Sequence, residues 1–174
     1  GVSLSAIHLV TAASAIANGG ILMKPYLVQA ITAQSGAPLK QFQPQTVRRV
    51  LSKKTARTVK VIMKTVTTKG GTGVNAALDG YTVCGKTGTV RKLDKSGTYS
   101  SDRHMASFVG FTPADNPKLA ILVVIDEPQR KYYGGTVAAP VFRQIAREAL
   151  NYLNIAPGSG VKRFATSRRI EVSG

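Results

Sequence analysis

Three stretches in the middle of the chain, residues 81–91, 104–111 and 118–126, constrain the fold more than any other feature. Each is apolar-rich and has the pattern of a β-strand. Asp115-Asn116-Pro117 supplies a turn between the second and third. The polar segment 92–103 reads as a surface extension of the hairpin between the first and second. Links this short make the three strands antiparallel neighbours. Helical patterns bracket them. Ser3 or Ser5 can cap a helix running to about Ala17, with Leu4, Ile7, Val10, Thr11, Ser14 and Ala15 near helical spacing and Asn18-Gly19-Gly20 to end it. Ser52 caps a second helix over 53–67, whose core stripe is Val59, Ile62, Met63 and Val66. A last helix is expected over 138–153, with Val141, Ile145, Ala149 and Leu153 inward. Strands over 26–32 and 46–51 lie between the first two helices, separated by a turn region holding Gly36, Pro38 and Pro44. The expected layout is α+β, an antiparallel sheet flanked by helices. The 174 residues, 43% of them hydrophobic, suffice for one domain with a core.

The first of the three strands carries the chemistry. Cys84-Gly85-Lys86-Thr87-Gly88-Thr89 places an ammonium and two hydroxyls on one short segment. Thr87 and Thr89 share a side of the strand, because side chains alternate with period 2. Two hydroxyls near one ammonium suit an anion, and Lys86 can serve both a substrate carboxylate and a reacting serine. Gly88 has no side chain to keep a substrate backbone away. The preceding Lys69-Gly70-Gly71-Thr72-Gly73 lacks the spacing of a phosphate-binding loop and no strand leads into it, so it reads as a mobile loop entering this strand.

The order of motifs along the chain resembles one family. Ile16-Ala17-Asn18-Gly19-Gly20, Gly71-Thr72-Gly73, Lys86-Thr87-Gly88-Thr89, the run Ala106-Ser107-Phe108-Val109-Gly110-Phe111-Thr112-Pro113, and Tyr133-Gly134-Gly135-Thr136-Val137-Ala138-Ala139-Pro140-Val141-Phe142 follow in sequence. Together they are similar to the C-terminal part of the transpeptidase domain of class B penicillin-binding proteins, from Gly1 to about Ile155. The resemblance implies a part of a five-stranded sheet packed between helices, with the active site beside the Lys-Thr-Gly strand. It implies a serine D,D-transpeptidase that cross-links peptidoglycan stem peptides through an acyl-enzyme and is acylated by β-lactams. In that family the Thr89 backbone N–H would be one oxyanion-hole donor. The Thr87 and Thr89 hydroxyls would bind the carboxylate. Lys86 would assist proton movement beside a second serine, and Tyr132 to Gly135 would border the pocket. For the tyrosines, packing under the last helix is the alternative. No metal and no organic cofactor is implied. The implied location is the extracytoplasmic side of the plasma membrane, in the cell envelope, held by an anchor outside this chain.

The family's nucleophile belongs to Ser-x-x-Lys, followed by Ser-x-Asn, both before the Lys-Thr-Gly strand. This chain has no Ser-x-Asn, and its one Ser-x-x-Lys, Ser159-Gly160-Val161-Lys162, follows that strand in a glycine-rich segment. That match is read as chance. The chain opens at Gly1 within a helical pattern, and the expectation is a fragment. Residues 1–156 are expected to be the C-terminal portion of the domain and 157–174 a basic, flexible tail. A β-lactam sensor or serine β-lactamase on the same fold is the nearest alternative.

Charge raises a third reading. Lys and Arg total 24 against 8 Asp and Glu, a net charge of +16. A basic module for nucleic acid or an anionic polymer would carry such charge, and so would a piece whose balancing acids lie elsewhere. The cations are scattered, without the interleaved aromatics of a stacking platform, so nucleic acid is not the expected partner. Cys84, the only cysteine, is read as a small buried apolar residue, with a reactive thiol as the alternative. His8 and His104 have no metal-ligand spacing and read as structural.

Overall fold

The three expected strands form one antiparallel sheet in the computed structural model, which describes residues 4–94 and 96–158. Preceding it are helix α1 (Ala6–Ala17), strands β1 (Ile21–Met23), β2 (Ala30–Thr32), β3 (Pro38–Gln41) and β4 (Thr46–Arg49), helix α2 (Lys53–Thr65) and a 3-10 turn at Val74–Ala76. The sheet itself is β5 (Cys84–Leu93), β6 (Tyr99–Thr112) and β7 (Leu119–Asp126), in the order β5-β6-β7. Helix α3 (Gly134–Tyr152) closes the fold. The architecture is α+β, an antiparallel sheet flanked by helices.

Register settles which side chains share a face. Cys84 opposes Phe111, Thr87 opposes Phe108 and Thr89 opposes Ala106. Phe108 and Phe111 are three residues apart, so they point to opposite faces. On one face Phe108 packs with Ala138, Ala139, Phe142, Ala146 and Leu150 of α3, the two phenyl rings meeting edge to face at 4.8 Å. On the other, Cys84, Phe111 and Ala114 pack with Ile16 and Ala17 of α1 and Met63 of α2. The sheet is therefore the middle layer.

Local chemistry explains the element ends. The Ser52 hydroxyl accepts the Thr55 N–H at 3.0 Å and starts α2. Ser5 stands at the α1 cap position in extended conformation, but its hydroxyl bonds His8 Nδ1 at 2.8 Å instead of a backbone N–H. Ser3, the other candidate cap, lies outside the described residues. β5 and β6 run well into the polar 92–103 segment, which is a hairpin extension as expected.

Several expectations need correction. The strand expected over 26–32 shrinks to Ala30–Thr32, and its partner is β3, within the region expected to be a turn. Pro38 is tolerated because it is the first residue of that strand. Residues 21–23 form a strand the pattern did not indicate, paired with β4. In α2 the buried residue is Ala56, whereas Ile62 is exposed. α3 starts at Gly134, four residues earlier than expected, and is rotated by about one residue. Its buried stripe is Ala138, Ala139, Phe142, Ala146 and Leu150, and Val141, Ile145 and Leu153 face outward.

The expected tail begins in contact with the body. The Gly158 N–H donates to Gly80 O at 3.0 Å, and the Tyr81 hydroxyl donates to Ile155 O at 2.7 Å. Residues 159–174, with the Ser159-Gly160-Val161-Lys162 match, lie outside the described residues. No helix among the described residues is long and apolar enough to cross a membrane.

Candidate functional site

β5 is an edge strand, so one of its sides is not covered by another strand of its sheet. Strand alternation puts Thr87 and Thr89 on the α3 face, and Lys86 and Gly88 on the face of α1 and α2. Lys86 is exposed, and its Nζ donates to Thr87 O at 2.7 Å. The threonine hydroxyls are both engaged. Thr89 Oγ1 accepts the Gly134 N–H at 3.1 Å, and Thr87 Oγ1 lies 3.0 Å from Thr72 Oγ1. Thr89 thus meets the first turn of α3, where N–H groups carry partial positive charge, whereas the Thr87 hydroxyl meets the loop before the strand.

Glycines make this approach possible. A Cβ on Gly135 would collide with the Thr72 carbonyl oxygen, and one on Gly134 with the carbonyls of Gly88 and Ser107. The start of α3 therefore presses its backbone against both the strand and the loop before it. Asn75 Nδ2 donates to Gly135 O at 2.8 Å and adds a second tie between loop and helix. The glycine-rich loop that reads as mobile is pinned at Thr72 and Asn75. Thr72 belongs to the Gly71-Thr72-Gly73 motif already picked out in the sequence, but the sequence reading gave it no part in the candidate site. A lone threonine between glycines has no periodicity, and its partner is 15 residues away.

Tyr132 and Tyr133 stand just before α3, and Tyr133 occupies its N-cap position. Both are exposed, so they do not pack under the helix. Their rings are 4.6 Å apart and their hydroxyls 3.5 Å apart. The Tyr132 hydroxyl beside it raises the Tyr133 phenol above its ordinary pKa. Beneath Tyr132 lies His104, buried, with ring planes 13° apart and centroids at 4.1 Å. His104 has a structural contact, as its sequence context suggested, and that contact supports the tyrosine nearest the strand ends. Lys92 pairs with Asp126 at 3.0 Å and Glu127 at 2.7 Å, while Arg103 pairs with Asp94 and, at 3.6 Å, with Glu127. These pairs join the far ends of all three strands, and being solvent-exposed they add little stability.

Cys84 sits two residues before Lys86 but is buried, and its Sγ donates to Lys60 O at 3.2 Å. Burial pushes its thiol up to about 11, against the opposing pull of Lys60 and Lys64. At pH 8 only about one thiol in a thousand is then thiolate, the nucleophilic form. Iodoacetamide should label the native protein orders of magnitude more slowly than the urea-unfolded chain, as followed by mass spectrometry. Equal rates would restore the reactive-thiol reading.

Among the described residues, no three His, Cys, Asp or Glu side chains gather closely enough to hold a metal ion. What the candidate site offers is two threonine hydroxyls on one face of the strand, that of Thr89 on a helix N-terminus, and an aromatic pair. It also offers an exposed ammonium, whose side chain leaves the strand on the opposite face. The single shared cradle expected from the sequence is therefore met by the hydroxyls and not by the lysine.

Known proteins match most of this chain, the Lys-Thr-Gly strand included. Residues 1–147 match the family model described as the penicillin binding protein transpeptidase domain. The stage V sporulation protein D of Bacillus subtilis is 40% identical over 159 residues, which is 90% of this chain and 24% of that protein. The probable peptidoglycan D,D-transpeptidase PenA of Neisseria flavescens is 37% identical over 167 residues, 95% of this chain and 39% of that protein. The chain thus spans about a quarter to two-fifths of these relatives. Among solved structures, penicillin-binding protein 3 from Mycobacterium tuberculosis in complex with aztreonam superposes with a TM-score of 0.80 at 33% identity. The match covers 91% of this chain and 37% of that one. With a family model matching residues 1–147, the Lys-Thr-Gly-Thr strand and the start of α3 among them, and a shared fold, the chain belongs to the penicillin-binding-protein transpeptidase family.

Proposed function

We propose that this chain supplies the Lys-Thr-Gly wall of a serine D,D-transpeptidase that cross-links peptidoglycan stem peptides. The observation that carries this reading is the edge strand that holds the Thr89 hydroxyl on the α3 N-terminus and the Thr87 hydroxyl on Thr72 of the adjoining loop, with Lys86 exposed on the same segment. A stem-peptide or β-lactam carboxylate accepts hydrogen bonds from the two hydroxyls. A serine from the part of the domain preceding this chain attacks the carbonyl carbon. The Thr89 backbone N–H and the serine's own N–H hold the resulting oxyanion. Collapse of the tetrahedral intermediate expels the terminal D-alanine and leaves an ester. The amine of a second stem peptide then attacks that ester and frees the serine. Lys86 lies near a second serine and helps pass the proton between nucleophile and leaving group. Tyr132 and Tyr133 border the bound ligand. The reaction needs neither metal nor organic cofactor.

β-Lactams acylate the same serine, which fits the aztreonam complex of the M. tuberculosis relative. The partners are stem peptides, β-lactams and the remainder of the same domain, at the extracytoplasmic face of the membrane in the cell envelope. A segment outside this chain provides the anchor, and nucleic acid is not a partner.

Labelling with a fluorescent penicillin tests this reading. The complete protein should acquire one covalent penicillin and release it slowly. Rapid deacylation would instead indicate a β-lactamase. The 174-residue chain alone should show no adduct by mass spectrometry. A stoichiometric adduct on it would place the nucleophile here and make Ser159 the residue to examine.

A further inference from the structure

Two threonines facing an anion must donate to it, so each hydroxyl proton has to point outward. For Thr89 the fold settles the matter. Gly134 N–H can only donate, so Thr89 Oγ1 accepts it at 3.1 Å and keeps its own proton free. The hydroxyl of Thr87 has no such N–H among its bonds. Its contact is Thr72 Oγ1, at 3.0 Å, and either oxygen can be the donor. If Thr87 donates, its proton is turned away from the ligand. If Thr72 donates, Thr87 is left as Thr89 is, accepting from behind and donating forward.

We propose that Thr72 is a positioning residue for anion recognition, its hydroxyl donating to Thr87 Oγ1 so that the Thr87 proton is free for the ligand carboxylate. Two chemical arguments favour this direction, and the packing of the loop keeps Thr72 in place for it. A carboxylate accepts and cannot donate, so its arrival selects the chain Thr72 O–H to Thr87 O–H to anion. Each bond in such a chain polarises the next and strengthens it. The loop is also held in place for the task, since Asn75 ties it to Gly135 and the Gly135 backbone abuts the Thr72 carbonyl. The consequence is a matched pair of donors, one oriented by a helix N–H and the other by a loop hydroxyl. This inference rests on the transpeptidase reading, in which the ligand carries a carboxylate.

The test uses the complete protein and benzylpenicillin, with acylation followed over a range of concentrations to separate pre-covalent affinity from the acylation rate constant. Thr72→Val removes the hydroxyl and keeps the branched shape. Loss of one neutral hydrogen bond should weaken pre-covalent affinity about three- to tenfold while the rate constant stays near wild type. Thr72→Ser should restore the affinity. The methyl ester of benzylpenicillin, which has no carboxylate, should bind both variants and the unsubstituted protein alike. Unchanged or tighter binding by Thr72→Val would mean that Thr87 donates to Thr72, and would overturn the proposal. So would equal losses in Val and Ser variants, or an equal loss for the ester, since either marks a purely structural contact. If the unsubstituted protein is not acylated at all, the transpeptidase reading itself falls, a result distinct from acylation that ignores Thr72.

Discussion

Replacing Lys86 by alanine in the complete protein should slow acylation by penicillin about ten- to a hundredfold or more and leave the melting temperature almost unchanged. Under the proposed mechanism, the rate loss follows from removing a cation beside the reacting groups. A charge-assisted contact of this kind contributes roughly 1.5–3 kcal/mol, and each 1.4 kcal/mol is a factor of about ten. The small stability effect follows from position. Lys86 is exposed, and its one hydrogen bond goes to the neighbouring Thr87 carbonyl. Nothing in the core depends on it. Thr89→Val is the informative comparison in the same experiment. It should cost less in rate, because the Thr89 backbone N–H survives, but more in stability. The Gly134 N–H at the α3 N-terminus would lose its acceptor, and losing such a cap costs about 1 kcal/mol. Unchanged acylation in Lys86→Ala together with a lowered melting temperature would make the lysine structural and would remove it from the mechanism.

Much of the central sheet could be read from sequence because its signals are local. Alternation, the turn at Asp115-Asn116-Pro117 and the polar hairpin segment located β5, β6 and β7 to within a few residues. The Ser52 cap marked the start of α2 for the same reason. α3 was harder because both of its faces are apolar. Val141, Ile145 and Leu153 form one candidate stripe, and Ala138, Phe142, Ala146 and Leu150 form another. Hydropathy favours the first. The sheet selects the second, because alanines let the helix sit close enough for Phe142 to reach Phe108. Its start was misplaced because proline suits a first turn and glycine suits a break, yet Pro140 lies inside the helix and Gly134-Gly135 begin it. β3 was concealed by Pro38 and Gly36. In the candidate site, the strand motif could be read directly, whereas Thr72 meeting Thr87 and His104 stacking on Tyr132 could not. Those contacts join segments distant in sequence, and a motif such as Gly71-Thr72-Gly73 does not say which residue its threonine will meet.

The Gly135 backbone provides the most demanding test of how helix, loop and strand are held together. Within a helix, glycine to alanine ordinarily stabilises by up to about 1 kcal/mol, because alanine loses less backbone freedom on folding. Gly135→Ala should do the reverse. Its Cβ would collide with the Thr72 carbonyl oxygen and contact Thr87 Cγ2 at 3.4 Å. The first obstacle is backbone, so no rotamer change relieves it, and either the loop or the first turn of α3 must move. Overpacking of this kind costs about 1–3 kcal/mol, which in the complete protein should lower the melting temperature by roughly 2–8 °C. The displacement should also damage function. It separates Thr72 from Thr87, and it shifts the neighbouring Gly134 N–H that orients Thr89. Penicillin acylation should therefore fall along with stability, by more than in Thr72→Val. Gln144→Ala, exposed on the same helix, is the control and should be close to neutral in both measurements. If Gly135→Ala instead raised the melting temperature as an ordinary helical position would, α3 would not press against the Thr72 loop. The two threonine hydroxyls would then not be held in register by the packing described here.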